Sequence, residues 1–180
     1  MENAYQPEAW HDLYIMLGSA AAVLVGLLFV VITLHLGEIR NNPHFNTAAT
    51  IHAARNNTLH LLTVMVETAL VLTPQPAAIL GAELVALNLY GLRLPVGFTY
   101  RWFNKNIRFA EHRGFPADII ATIFVSYLLG IAGGIALIED ESWGLYLLTA
   151  SCLVILVRSV LTAWALMFGV GETETKTPAD

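Results

Sequence analysis

LYIMLGSAAAVLVGLLFVVITLHL, residues 13–36, holds no Asp, Glu, Lys or Arg. About 20 consecutive apolar residues suffice for a helix to cross the hydrocarbon core of a bilayer, so the stretch reads as a transmembrane helix. The residues before it include Glu2, Glu8 and Asp12 but no Lys or Arg. A secretory leader begins with positive charge, so this helix is expected to stay in the mature protein.

The rest of the chain has the same character. Of 180 residues, 56% are hydrophobic and 13% charged, and the mean hydropathy is +0.61. Soluble domains carry about 25% charged residues, so this chain has too few charges to cover a water-facing globule. Four further spans follow from its breaks. Residues 57–73 end at Pro74 and Pro76, because proline lacks an amide donor and restricts the residue before it. Residues 77–94 are expected to end at Pro95 and Gly97. Residues 117–138 open after Pro116, with Asp118 in the first turn, where a carboxylate suits the helix dipole. Residues 143–169 form the fifth span, and the polar tail 171–180 is expected to be disordered. The fold class is thus an all-α transmembrane bundle of five spans in one domain, with four spans and a re-entrant hairpin over 57–94 as the alternative.

Orientation comes from the positive charges. Arg40, Arg55, Arg93, Arg101, Lys105, Arg108, Arg113 and Lys176 fall on one side of this bundle. The opposite side has none, and Arg158 lies within the fifth span. Cytoplasmic loops hold the excess of Lys and Arg. The N-terminus is therefore expected outside and the C-terminus in the cytoplasm, in a bacterial inner membrane.

Two cytoplasmic loops have structure of their own. Over residues 99–112, Arg101, Lys105, Arg108 and His112 share one helical face, and Phe103, Ile107 and Ala110 the other. That pattern predicts a short amphipathic helix on the leaflet, with Arg101, Lys105 and Arg108 attracted to anionic lipid. A nucleic-acid role is not expected, since the apolar face needs burial. Asn46 and Thr47 form a plausible cap for a helix running into the second span. His44, His52 and His60 lack a carboxylate at ligand spacing, and no metal or cofactor is predicted. The single cysteine, Cys152, sits in an apolar run and reads as a small core residue.

Three charges lie within spans: Glu67, Glu83 and Arg158. Burying a lone charge in a membrane is costly, so such groups face the bundle interior and pair. Counted from the span ends, all three stand roughly 15–16 Å from the cytoplasmic surface. A Glu67–Arg158–Glu83 cluster is predicted there, supported by His60, Thr63, Asn88, Tyr90, Ser151 and Thr162. Small residues mark close helix contacts, within the chain or between protomers: Gly18, Ala22 and Gly26 in the first span, Gly130 and Gly134 in the fourth.

The run Trp10-His11-Asp12, then Leu17-Gly18-Ser19-Ala20-Ala21-Ala22 and Gly26-Leu27-Leu28-Phe29-Val30, resembles the opening of small bacterial membrane proteins labelled modulators of FtsH protease. Gly81-Ala82-Glu83-Leu84 resembles their pattern too. So does Gly144-Leu145-Tyr146 leading to Ala163-Trp164-Ala165-Leu166. The tail departs from it, with Gly169-Val170-Gly171 in place of a more acidic helix end. The resemblance implies a non-enzymatic role, with a membrane protease as partner. No Ser/His/Asp set, phosphate-binding glycine loop, HExxH or CxxC occurs in the chain, so no enzyme is expected. The function read here is regulation or scaffolding through helix contacts in a homo-oligomer. Its rival is an oligomeric channel or transporter with the charge cluster on the pathway.

Overall fold

The structure, a computed structural model, describes residues 7–41, 47–104 and 117–169, with side chains placed for 10–34, 51, 53–93, 96 and 121–164. Among the described residues the chain is helical, in five elements: α1 (Pro7–Asn41), α2 (Thr47–Leu72), α3 (Ala77–Asn104), α4 (Ala117–Ile138) and α5 (Gly144–Gly169). Three of them are long and apolar enough to cross a membrane, over Trp10–Leu34, Ala121–Ile138 and Gly144–Trp164.

The helix ends follow local chemistry. Thr47 is the first residue of α2, which runs unbroken through the second expected span. Pro74 and Pro76 stand in the α2–α3 turn, where the Thr73 amide bonds the carbonyls of Ala69 and Leu70. The α4–α5 turn closes with the Glu141 amide on the Ala136 carbonyl at 2.9 Å and the Asp140 amide on the Leu137 carbonyl at 3.2 Å. This paired termination needs one left-handed residue. Asp140 supplies it at φ 60°, a conformation that Asp tolerates better than most side chains.

Pro95 does not end the third helix as expected. α3 runs on to Asn104, so residues 99–104 continue that helix, and the rest of the expected interfacial helix, 105–112, lies outside the described residues. Proline inside a helix gives up one amide bond, to the carbonyl four residues back, and membrane helices tolerate this loss. Arg101 thus lies in the last turn of α3. Lys105, Arg108 and the tail 171–180 lie outside the described residues.

α2 packs on α1, α3 and α5, while α4 closes the bundle between α3 and α5. The shared core takes Tyr14, Leu17 and Ala21 from α1 and Leu61, Val64 and Val71 from α2. Leu80, Leu84, Leu137, Leu145, Leu148 and Ile155 complete it from the other helices. Large apolar side chains also cover the outside: Val23, Leu27, Phe29 and Leu34 on α1, Leu62 and Val66 on α2, Leu153 and Val157 on α5. Polar groups meanwhile lie within, among them Asn57, His60, Glu67, Asn88 and Ser151. Soluble monomers rarely expose continuous apolar surface of this kind.

Small residues set the α3–α4 spacing. A Cβ on Gly134 would stand 2.9 Å from the Gly81 carbonyl oxygen and 2.8 Å from Val85 Cγ2. Gly130 faces the Asn88 side chain, and Gly91 faces the Tyr127 ring. The Gly18-Ala22-Gly26 repeat is not one packing face within the chain. Gly18 abuts Thr68, whereas Ala22 is exposed and Gly26 has nothing near it. A strict four-residue step drifts around a helix of 3.6 residues per turn, and the buried face of α1 follows Tyr14, Leu17, Ala21 and Leu28 instead.

Candidate functional site

The inward face of α2 repeats at three and four residues: Ala54, Asn57, Leu61, Val64, Thr68 and Val71, with His60 and Glu67 beside them. Three neighbouring helices cover that face, so the polar residues on it are buried with the apolar ones. Glu67 is 1% exposed. Its Oε1 accepts from Asn88 Nδ2 of α3 at 2.6 Å, and its Oε2 stands 3.1 Å from Cys152 Sγ of α5. One carboxylate thereby ties three helices together. Asn88 Nδ2 also donates to the Leu84 carbonyl at 3.0 Å, while its buried Oδ1, on the Gly130 side, has no hydrogen-bond partner.

A second polar contact lies two turns back along α2. His60 Nδ1 and Tyr127 Oη are 2.7 Å apart, with the proton on either group according to tautomer. Further back, Asn57 Nδ2 donates to the Ser159 carbonyl at 3.2 Å. Between α4 and α5, Ser151 Oγ donates to the Ser126 carbonyl at 2.7 Å. From Asn57 to Glu67 is ten residues of helix, or about 15 Å.

The Glu67–Arg158–Glu83 cluster does not form. Glu83 is exposed and accepts from Gln75 Nε2 of the α2–α3 turn at 2.9 Å. The buried line of α3 is Leu80, Leu84, Asn88 and Gly91, and Glu83 falls beside it. It stands six residues after Ala77, within about 9 Å of the turn, and α3 reaches Asn104 at its other end. Arg158 is half-buried, six residues past Cys152 on α5, about 9 Å along the axis from the residue that meets Glu67. Both Glu67 bonds go to neutral groups.

The supporting residues divide likewise. His60 and Asn88 join the interior line, and Ser151 lies beside it. Thr63 is buried, donates to the Leu59 carbonyl of its own helix and also meets the Tyr127 hydroxyl, whereas Thr162 bonds its own helix at the Arg158 carbonyl. Tyr90 is exposed, with the Arg93 guanidinium 3.2 Å above its ring. Sequence reasoning missed Tyr127 and Cys152 as partners. The polar repeat Asn57, His60, Glu67 on one helix face is the signal that could have pointed to an inward polar line. Among the described residues no three His, Cys, Asp or Glu side chains are grouped to hold a metal ion.

At the other end, Trp10 packs edge-on against Tyr146, with centroids 4.7 Å apart, and tilts against Tyr14 at 6.3 Å. Tyr14 Oη donates to the Leu145 carbonyl at 3.2 Å. With the exposed Trp143, these rings gather at the end of the bundle that holds the α4–α5 turn. Comparison of the chain with protein families, curated proteins and solved structures gives no match.

Proposed function

We propose that the chain is an integral membrane protein of five spans, acting through helix contacts with itself or with a membrane partner and catalysing no reaction. The observation that carries this reading is the inverted surface: Phe29, Leu34, Leu62, Val66 and Val157 point out while Glu67, Asn88 and His60 are bonded within. α2 and α3 count as spans because α1, α4 and α5, apolar enough to cross a membrane, pack directly against them. Backbone at membrane depth must be helical to satisfy its own polar groups, and all five elements are α-helices. The charge distribution of the loops supports a bacterial cytoplasmic membrane, with the N-terminus outside and Arg101, Lys105 and Arg108 near anionic headgroups. The resemblance to FtsH modulators makes a membrane protease the first partner to look for. Cross-linking in intact membranes, followed by purification, tests the reading. A homo-oligomer or a stoichiometric membrane protein recovered with the chain is expected. A monomer with no companion, from correctly inserted protein, overturns it.

Glu67 supports a second reading, a channel or transporter. It is a buried acid whose bonds are both to neutral groups, and intramembrane acids mark ion pathways in many transporters. Ion flux into liposomes separates the two: selective flux altered by Glu67→Gln supports conduction, and none supports the contact role.

A further inference from the structure

The polar line along α2 runs from Asn57, the end nearest the exposed Arg55 and termed its mouth, to Glu67. At the mouth, Asn57 lies against the Ser159 carbonyl, with the exposed Arg55 two residues away. Next comes the His60–Tyr127 contact. The Tyr127 ring lies flush against Gly91, one turn along α3 from Asn88, so its body fills the space between the histidine level and the carboxylate level. Beyond Glu67 the interior turns apolar, with Val71, Leu80, Leu137 and Leu148 all at most 2% exposed. The buried hydroxyls on that side are committed to backbone: those of Tyr14 and Thr149 to the Leu145 carbonyl and that of Thr68 to the Met65 carbonyl.

Glu67 is therefore an acid at the closed end of a one-sided polar path. The ionisable groups around it come from each packed helix: Tyr14 of α1, His60 of α2, Tyr127 of α4 and Cys152 of α5, with Arg158 farther along α5. α3 offers the neutral Asn88, since Glu83 turns outward to Gln75. A charge at this depth is costly unless it is compensated, and the two contacts made to the carboxylate bring no positive charge.

We propose that Glu67 is a proton-binding site, filled from the Asn57 end through His60 and Tyr127. A proton from water joins the carboxylate and leaves a neutral carboxyl. The contact between Cys152 Sγ and Glu67 Oε2 serves both states: the thiol donates to a carboxylate, and a carboxyl O–H donates to the sulfur. Asn88 holds the other oxygen throughout. The site loads and unloads without the helices parting, and the apolar end stops the proton from crossing. The inference rests on the membrane reading, but the test below can fail while the topology of five spans stands.

Infrared spectroscopy of the full chain in lipid bilayers reads the carbonyl stretch of a protonated carboxyl apart from the bands of carboxylates. Such a band is expected at neutral pH, absent in Glu67→Gln and retained in Glu83→Gln. Deuteration after transfer to heavy water should shift the band, more slowly in Tyr127→Phe than in Tyr14→Phe. A spectrum unchanged by Glu67→Gln, or an exchange rate that Tyr14→Phe slows more, overturns the proposal. Should Glu67→Gln not fold, Asn88→Ser and Cys152→Ala each remove one partner of the carboxyl, and a band that moves in neither also overturns it.

Discussion

Glu67 and Glu83 are the same side chain on neighbouring helices, and they have opposite surroundings. Glu67 is closed in by α2, α3 and α5 and bonds Asn88 and Cys152. Glu83 is exposed at the turn end of α3 and bonds Gln75. Composition around them is similar, since both lie in apolar helix. What differs is the cover. Each stands one residue before an inward position, Glu67 before Thr68 and Glu83 before Leu84. Three helices pack on α2 and two on α3, so the same offset closes one carboxylate in among three helices and leaves the other at the surface.

The comparison is broken most severely by disturbing the surface that brings Asn88 to Glu67. Gly134→Leu would place a side chain where a single Cβ already lies 2.9 Å from the Gly81 oxygen. α3 and α4 must then part, carrying Asn88 away from the carboxylate. A loss of about 3 kcal/mol or more is expected, as for overpacked cores, read as a large fall in thermal midpoint in detergent. A midpoint near the wild type would mean that α3 and α4 do not meet this closely.

Truncating the carboxylate comes next. Glu67→Ala leaves a cavity and strips Asn88 and Cys152 of their shared acceptor, at a cost of about 1–3 kcal/mol. Asn57→Leu should cost less, about 1 kcal/mol, since it frees only the Ser159 carbonyl at the mouth of the line. The same thermal melts rank the two. If Asn57→Leu proves the worse, the interior line is anchored at its mouth rather than at Glu67.

Much of this bundle was legible in the sequence, and the reason is physical. A span of apolar residues has few competing readings, so α4 lies over 117–138 as expected, and α5 starts one residue from its predicted bound. Breaks were harder. Pro74 and Pro76 stand together with no hydrophobic register across them and end a helix, whereas Pro95 stands alone inside a continuing apolar face and does not. That single difference lengthened α3 at its far end and left Glu83 six residues from the turn, where the span bounds already had it. Depth counted in residues says nothing about azimuth, and azimuth decided which polar groups meet. Tyr127 and Cys152 gave no signal because a lone tyrosine or cysteine in an apolar run looks the same whether it faces lipid or an acid.

The smallest expected effect is at Glu83, and it tests the comparison from the other side. The Gln75–Glu83 bond is exposed, made between a turn and the first turns of α3. Water competes for both partners there, and exposed polar pairs are worth about 0–1 kcal/mol. Glu83→Gln should therefore change stability by less than about 0.5 kcal/mol, in line with surface substitutions away from special features. Gln75→Ala should do the same, and the double variant should equal their sum within about 0.5 kcal/mol. A thermal midpoint that falls with Glu83→Gln as far as with Glu67→Ala would mean that Glu83 is covered in the membrane. The natural cover is a second copy or a partner seated on the outer face of α3. The test thus also asks whether the assembly uses that face, because a bond exposed in the single chain gains weight only when something closes over it.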